Sequence, residues 1–321
     1  MIVRFGYVAM STMVKNASPS QTMTVTNFNK LSDREAALRK LERIGAENLH
    51  NTLRLLFHNR AYDIRLYRFS SKLIPIIGHE MLMDWDPIPL LAKEFAAVGD
   101  YVKEHDMRVS FHPDHFTVLS TPKADILQKS MADLDIHVRM LEAMGLDEQA
   151  RCNVHIGGSY GNKETSMERF LLQFEGLEPR IRRRITLEND DKTFNASETL
   201  KACESLKVPM VLDIHHHWVN NDGESAADLW PRIMETWKST GLPPKIHVSS
   251  PKNDKEPRGH ADYVNPADLV PFMRSIAANT PKLDVMIEAK MKDEALFHLM
   301  KDMRHVEGVT VLGQAAVKVL P

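Results

Sequence analysis

ITLENDDKTFNASETLKACESLKVPMVLD, residues 185–213, carries the fold in miniature. A short apolar run at 185–187 closes on Glu188. A polar turn follows, and residues 197–206 then place Leu, Ala and Cys at helical spacing. A second apolar run, 209–214, holds MVLD and so reaches Asp213. Both runs are continuously apolar rather than alternating, as expected of strands covered on both faces in a parallel sheet. The segment reads as strand, helix, strand, with an acid at the end of each strand.

The same alternation extends in both directions. Further strands are expected at 2–10, 64–69, 108–112, 152–156, 245–248 and 285–287. Helices are expected at 33–58, 90–105, 124–144, 165–174, 226–240, 266–278 and 293–303, with Ser32 or Asp33 capping the first. Eight strands alternating with eight helices predict a (β/α)8 TIM barrel, formed as a single domain over residues 1–321. A doubly wound open sheet is the alternative, but no GxGxxG or GxxxxGK[ST] loop follows any strand, so no nucleotide cofactor is expected.

Composition narrows the function. The formal net charge is −2 over 321 residues, which argues against coating nucleic acid by bulk charge and leaves room for a local basic cleft. Two cysteines make no disulfide framework, and a reducing cytoplasm is expected. The N-terminus has no signal-peptide pattern, and no run of apolar residues is long enough to span a membrane. The chain does carry 15 histidines, an excess for its length. Histidine is the commonest metal ligand, so their positions matter.

Strand ends locate six ionisable groups. RVSFH ends on His112, RCNVH on His155, ITLE on Glu188 and MVLD on Asp213, KIH carries His247, and VMIE ends on Glu288. In a barrel the C-terminal strand ends converge on one mouth, where active sites of this fold sit. Six such groups buried together are costly unless cations compensate them. Three His, two Glu and one Asp form a mixed N/O set suited to Zn²⁺ or Mn²⁺. Any one of these residues alone reads as a satisfied core histidine, a cap or a salt bridge; six at equivalent positions read as a metal site. His216, three residues after Asp213, and His260, in the polar loop RGHADY, add two more candidate ligands. His215 and His217 read as supporting or surface groups. Lys245 lies two residues before His247 on the same strand face, where a salt bridge to Asp213 or Glu288 is the simple account.

The ordered set resembles the ultraviolet-damage endonuclease family, a branch of the barrel superfamily that includes endonuclease IV and xylose isomerase. The resemblance is carried by Gly6-Tyr7, YRFSS (67–71) followed by IPIIGHE, HPDHF (112–116), NVHIGG (153–158), LEND (187–190), LDIHHHW (212–218), KIHVSS (245–250), GHADYV (259–264) and IEAKMKD (287–293). It runs in order from residue 1 to about 306.

The resemblance implies a three-metal phosphodiesterase that incises damaged double-stranded DNA immediately 5′ of ultraviolet photoproducts and leaves a 3′-hydroxyl. One metal would be held by His112, His155 and Glu188. A second would share Glu188 and add Asp213, His247 and Glu288. A third would use His216 and His260. Manganese is the implied metal, with zinc or cobalt as alternatives. Lys245 occupies the place of a lysine that can be carboxylated in the family, and His79 that of a histidine close to the site. Tyr7, His115 and Phe116 are candidates for reading the lesion; many relatives have Gln and Tyr where this chain has His115 and Phe116. For Phe116, ordinary packing under a loop is the competing account.

Arg68, Lys252, Lys255, Arg258, Lys290 and Lys292 all follow strand ends and are candidate phosphate contacts. Arg182-Arg183-Arg184 precedes its strand and reads as a solvated charge run on the opposite face. The enzyme is expected to act as a cytoplasmic monomer, nucleoid-associated when on DNA. The competing readings are a metal-dependent sugar isomerase or epimerase of the same superfamily, in which His216 and His260 would lack a role, and a metal-stabilised barrel without catalytic function.

Overall fold

A computed structural model describes all 321 residues. The strands in chain order begin with β1 (Ile2–Val8), β2 (Leu66–Arg68), β3 (Arg108–Phe111), β4 (Arg151–His155), β5 (Ile185–Glu188), β6 (Met210–Asp213) and β7 (Lys245–Val248). A separate pair, β8 (Pro251–Asn253) and β9 (Glu256–His260), precedes β10 (Lys282–Ile287). β1 to β7 and β10 run parallel and close into a barrel. β10 pairs with β1 in register, from Ile2 opposite Lys282 to Tyr7 opposite Ile287. The fold is therefore the TIM barrel that the alternation predicts. β1 and β2 approach closely at Gly6, where a Cβ would lie 2.3 Å from the carbonyl oxygen of Leu66.

The covering helices are α1 (Val25–Asn29), α2 (Arg34–Ala61), α3 (Ala92–Glu104), α4 (Ala124–Ala143), α5 (Lys163–Glu175), α6 (Pro179–Arg182), α7 (Ala196–Leu206), α8 (Ile214–Val219), α9 (Ala226–Trp237), α10 (Val270–Ile276) and α11 (Lys292–Asp302). Asp33 caps α2 by accepting from the Ala36 amide. Asn195 and Glu198 form a capping box at α7. One contiguous cluster of 77 buried apolar residues fills the interior and the helix–sheet layer. No helix is long and apolar enough to cross a membrane.

Strand parity sorts side chains between the barrel interior and the helix layer. Arg4 faces inward, where its Nε and Nη2 each bond the Asp284 carboxylate at 2.8 Å. Arg108 donates to the same carboxylate at 2.6 Å and lies over the Trp237 ring. These groups close the N-terminal end of the barrel, leaving the opposite end for chemistry.

Several sequence expectations change. The segment 266–278 is not one helix: a 3-10 turn at Pro266–Asp268, capped by Asn265, precedes α10, which Pro271 opens. The loop holding His260 is a β-hairpin, built from β8 and β9. Short strands β11 (Val309–Val311) and β12 (Ala316–Val319) were not expected; β12 pairs antiparallel with the first residues of β1. The arginine run is not wholly solvated. Arg183 pairs with Glu148, and Arg184 is buried, donating to the carbonyls of Leu146 and Ala150.

Candidate metal centre

The six strand-end groups meet at the mouth. His112, His155 and Glu188 present ligand atoms within 4.8 Å of one another, and so do Glu188, Asp213, His247 and Glu288. Glu188 belongs to both groups. The barrel produces this through register, with His155 opposite Glu188 and Asp213 opposite His247.

Glu188 is fully buried, and its Oε2 lies 3.3 Å from His112 Nε2 and 3.0 Å from His247 Nδ1. Asn153 donates to the same oxygen, and Thr186 in turn donates to Asn153 at 2.7 Å. Glu288 Oε1 stands 2.9 Å from His247 Nδ1. Burial pushes both carboxyls up, but their neighbours outweigh it. The imidazoles of His247 and His155 hold Glu188 well below the usual carboxylate range. Arg68 and His247 do the same for Glu288. Against the opposing effect of burial, Glu188 and Glu288 lift His247 to about 9, and Asp213 and Glu188 lift His216 to about 9. His155 is pushed down, chiefly by burial. The carboxylates thus call for positive charge among them.

A divalent cation meets that demand, and two further observations fit one. Asp213 Oδ2 is buried without a hydrogen bond, and His247 Nδ1 sits near two carboxylates without hydrogen-bond alignment to either. The other imidazoles have Nδ1 engaged by main-chain oxygens: His112 by Pro113 at 3.0 Å, His155 by Glu188 at 3.2 Å, His216 by Asn189 at 2.9 Å and His260 by Glu288 at 2.8 Å. An Nδ1–H so engaged fixes the tautomer that leaves Nε2 free to ligate.

His216 and His260 lie outside the two ligand groups. Their rings are 6.4 Å apart, and His155 is 5.7 Å from His216. All three line a mouth cavity of about 430 Å³, together with His115 and Arg258. His215, held as a supporting or surface group, is buried between Ser249 Oγ and the carbonyl of Pro257, each at 2.6 Å, and so ties the hairpin to the barrel. His217 is also buried. His79 caps a 3-10 turn through the Met81 amide, and none of its hydrogen bonds reaches the centre.

Lys245 does not make the expected salt bridge. Its Nζ donates to Ser110 Oγ at 3.2 Å, and burial, then Arg108, pulls its pKa down to about 7. Tyr7 does not reach the surface: it is fully buried, facing α2, and its hydroxyl donates to Asn59 at 2.7 Å. Arg68 faces the interior and pairs with Glu288 at 2.5 Å, so its guanidinium is directed at the candidate metal centre. His115 and Phe116 stand at the rim, with Phe116 60% exposed, which removes packing under a loop as its account. Lys252 pairs with Glu256 on the hairpin, Lys255 is exposed, and Arg258 lies 3.8 Å from Asp191. Lys290 is exposed, and Lys292 is partly buried with a positive φ.

Residues the sequence reading passed over also build the site. Asn153 holds Glu188. Asn189 brackets the Asp213 main chain, donating to its carbonyl at 3.0 Å and accepting from its amide at 2.9 Å. The Asn153 signal was available, since it shares strand parity with His155; that of Asn189 lay in LEND without a face to assign it.

Comparison with known proteins agrees with this geometry. The model of the UV-endonuclease UvdE family matches residues 3–319. The UV DNA damage endonuclease of Halalkalibacterium halodurans is 44% identical over 322 residues, spanning all of both chains. The crystal structure of SacUVDE superposes with a TM-score of 0.82 at 27% identity, covering 95% of this chain and all of that one. Endonuclease IV from Thermus thermophilus shares the fold, with a TM-score of 0.51 at 12% identity over 89% of this chain and 93% of that one.

Proposed function

Since the chain belongs to the UV-endonuclease UvdE family, we propose that its mouth is a three-metal centre that incises UV-damaged DNA immediately 5′ of the lesion, at cyclobutane dimers and 6-4 photoproducts, leaving a 3′-hydroxyl. The enzyme is a UV DNA damage endonuclease, and the sugar-epimerase alternative falls with that membership. One observation carries the metal reading: Glu188 is shared by two ligand groups drawn from the ends of β3 to β7 and of β10. His112 and His155 with Glu188 form the first site. Glu188 with Asp213, His247 and Glu288 forms the second. His216 and His260 supply the third. Manganese suits this N/O donor set, as do zinc and cobalt.

Bound divalent cations supply charge neutralisation at the scissile phosphate and activation of water. The chain's own groups prepare that chemistry. Asn153 and Thr186 fix Glu188 Oε2, so the carboxylate that joins the two sites cannot swing away. Arg68 orients Glu288. Lys245 is buried with its Nζ on Ser110 Oγ, at the place where the family resemblance puts a lysine that can be carboxylated by addition of carbon dioxide at Nζ with release of a proton. The resulting carbamate would face Arg108 and Arg68, whose positive charge favours it. We propose that Lys245 is either carboxylated in this way or hydrogen-bonded to the groups around the metals.

Selectivity comes from deformation. A photodimer weakens stacking and pairing, so extruding it costs less than extruding normal bases. His115 and Phe116, exposed beside His112, are placed to fill the space that extruded bases leave. Lys252, Lys255 and Arg258 on the hairpin, with Lys290, hold the backbone. The protein works as a monomer, in the cytoplasm at the nucleoid.

The test combines metal counting and incision. Purified protein loaded with manganese should hold three equivalents by mass spectrometry and nick ultraviolet-irradiated plasmid, with intact plasmid spared. Two equivalents would remove the His216–His260 site. Equal nicking of both plasmids would remove lesion selectivity.

A further inference from the structure

The loop after β4 presents a second aromatic ring at the mouth. Tyr160 is 45% exposed, and its hydroxyl makes no hydrogen bond within the chain. Its φ is +47°, in the left-handed region that bulky residues avoid. A strained backbone persists only where its surroundings hold it, and such positions gather at ligand-binding sites.

Here the surroundings hold it firmly. Ser166 Oγ donates to the carbonyl of Ser159 at 2.6 Å, and Ser120 Oγ donates to that of Gly158 at 3.1 Å. Arg169 reaches from α5 to the carbonyl of Ser120 at 2.6 Å and to Ser166 Oγ at 2.9 Å. Its guanidinium then lies 5.8 Å from the Tyr160 ring centroid. The ring rests against Gly158, where a Cβ would stand 3.4 Å from Tyr160 Cε2. Gly157 and Gly158 line the mouth cavity with His115, His155, His216 and His260. An apolar ring is thus held out into solvent, by a loop tied at several points, at the rim of the site.

We propose that Tyr160 is a stacking platform for a nucleobase of the bound duplex, on a different loop of the rim from Phe116. The proposal rests on the DNA-endonuclease reading and goes beyond it by adding a specificity residue. Stacking needs a flat, pre-oriented ring that solvent can reach; Arg169 and Gly158 fix the Tyr160 ring in place, and the ring still stays 45% exposed. Because every base has a π-face, the platform acts on position and not on sequence.

The experiment uses the full chain with two substitutions. Tyr160→Asn removes the ring but keeps a residue that tolerates the left-handed region. Tyr160→Phe keeps the ring and drops the hydroxyl. Binding isotherms are measured on a duplex carrying one thymine photodimer, with 2-aminopurine placed in turn at each position flanking it. Tyr160→Asn should weaken binding about 5- to 150-fold, with an unchanged melting temperature. Tyr160→Phe should bind within about twofold of wild type, since stacking resides in the ring. One 2-aminopurine position should be quenched by wild type and Tyr160→Phe and not by Tyr160→Asn. Equal affinity of wild type and Tyr160→Asn overturns the proposal. So does an equal loss in both variants, which would assign the contact to the hydroxyl. If wild type itself neither binds nor incises photodimer duplex, the endonuclease reading fails, and the platform fails with it.

Discussion

The imidazole of His260, at the end of the hairpin, leans on the main chain of Glu288: its Nδ1 lies 2.8 Å from the Glu288 carbonyl oxygen. The contact sets the His260 tautomer and joins a candidate third-site residue to the strand that supplies the second site. His216→Ala/His260→Ala should therefore lose one metal equivalent and retain the other two. Metal counting on the purified variant checks this; loss of all three, or of none, would contradict the assignment.

Glu188→Gln tests the shared carboxylate. The substitution keeps the shape and the Asn153 contact available but removes the charge that serves both ligand groups. Incision of irradiated plasmid should fall at least a hundredfold, on the scale of losses when a group acting directly at a catalytic centre is removed. Circular dichroism should be unchanged. Incision within tenfold of wild type would refute the shared-ligand role.

Tyr7→Phe separates core from DNA contact. The substitution leaves the buried Asn59 oxygen without its donor, and the side-chain amide nitrogen of Asn59 is itself unpaired. Urea unfolding should show a loss of about 1–3 kcal/mol, while affinity for irradiated duplex stays at the wild-type value. A selective loss of that affinity would return Tyr7 to the lesion.

His115→Ala/Phe116→Ala should keep fold and metals and lose about 5- to 150-fold in affinity for irradiated duplex per stacking contact removed. Binding to intact duplex, which rests on phosphate contacts, should change much less. The ratio of the two affinities, measured at one salt concentration, is the readout; an unchanged ratio would shift recognition elsewhere on the rim.

Asp293 gives the fold an acid sensitivity. Its side chain is buried, accepts from the Thr12 amide at 2.9 Å and from Ser11, and pairs with His58 at 3.1 Å. Burial alone would raise its pKa, but His58, Ser11 and Thr12 lower it overall. A carboxyl depressed in the folded state contributes stability above its unfolded pKa, about 3.9, and that contribution is lost as pH falls through the folded value. Asp293→Asn should destabilise the protein at pH 7 by about 1–3 kcal/mol, and the gap to wild type should narrow below pH 4. Urea midpoints across pH 3–7 measure it; a gap that is constant across this range would exclude the ionic contribution.

The barrel and its ligand positions were legible because strand ends are marked twice, by an apolar run and by the ionisable residue that closes it. His112, His155, Glu188, Asp213 and Glu288 carry both marks, and His247 lies one residue inside the end of its run. Tyr7 and Arg68 were misplaced for want of parity. Arg4 faces the interior, so Val8 does too and Tyr7 faces α2; Arg68, opposite Val8, then points at Glu288 and not at solvent. The hairpin was invisible because Pro251–Asn253 and Glu256–His260 hold no apolar run: they are held together as a ribbon and fixed from below by His215, a contact 42 residues away in sequence. β12 escaped notice because its pairing depends on an edge of β1 that the short β2 leaves open.

That ribbon has a thermodynamic consequence. Its β8–β9 strands carry Lys252 and Arg258, the turn between them carries Lys255, and the last residue of β9 is His260. The proposed phosphate contacts near the tip and the proposed metal ligand at the base therefore belong to one small body, pinned to the barrel at Pro257. If occupancy of one end orders the ribbon, the other end binds better, and linkage makes the two effects equal: the factor by which the cation tightens DNA is the factor by which DNA tightens the cation. The centre would then be most fully loaded when the enzyme is seated on its substrate.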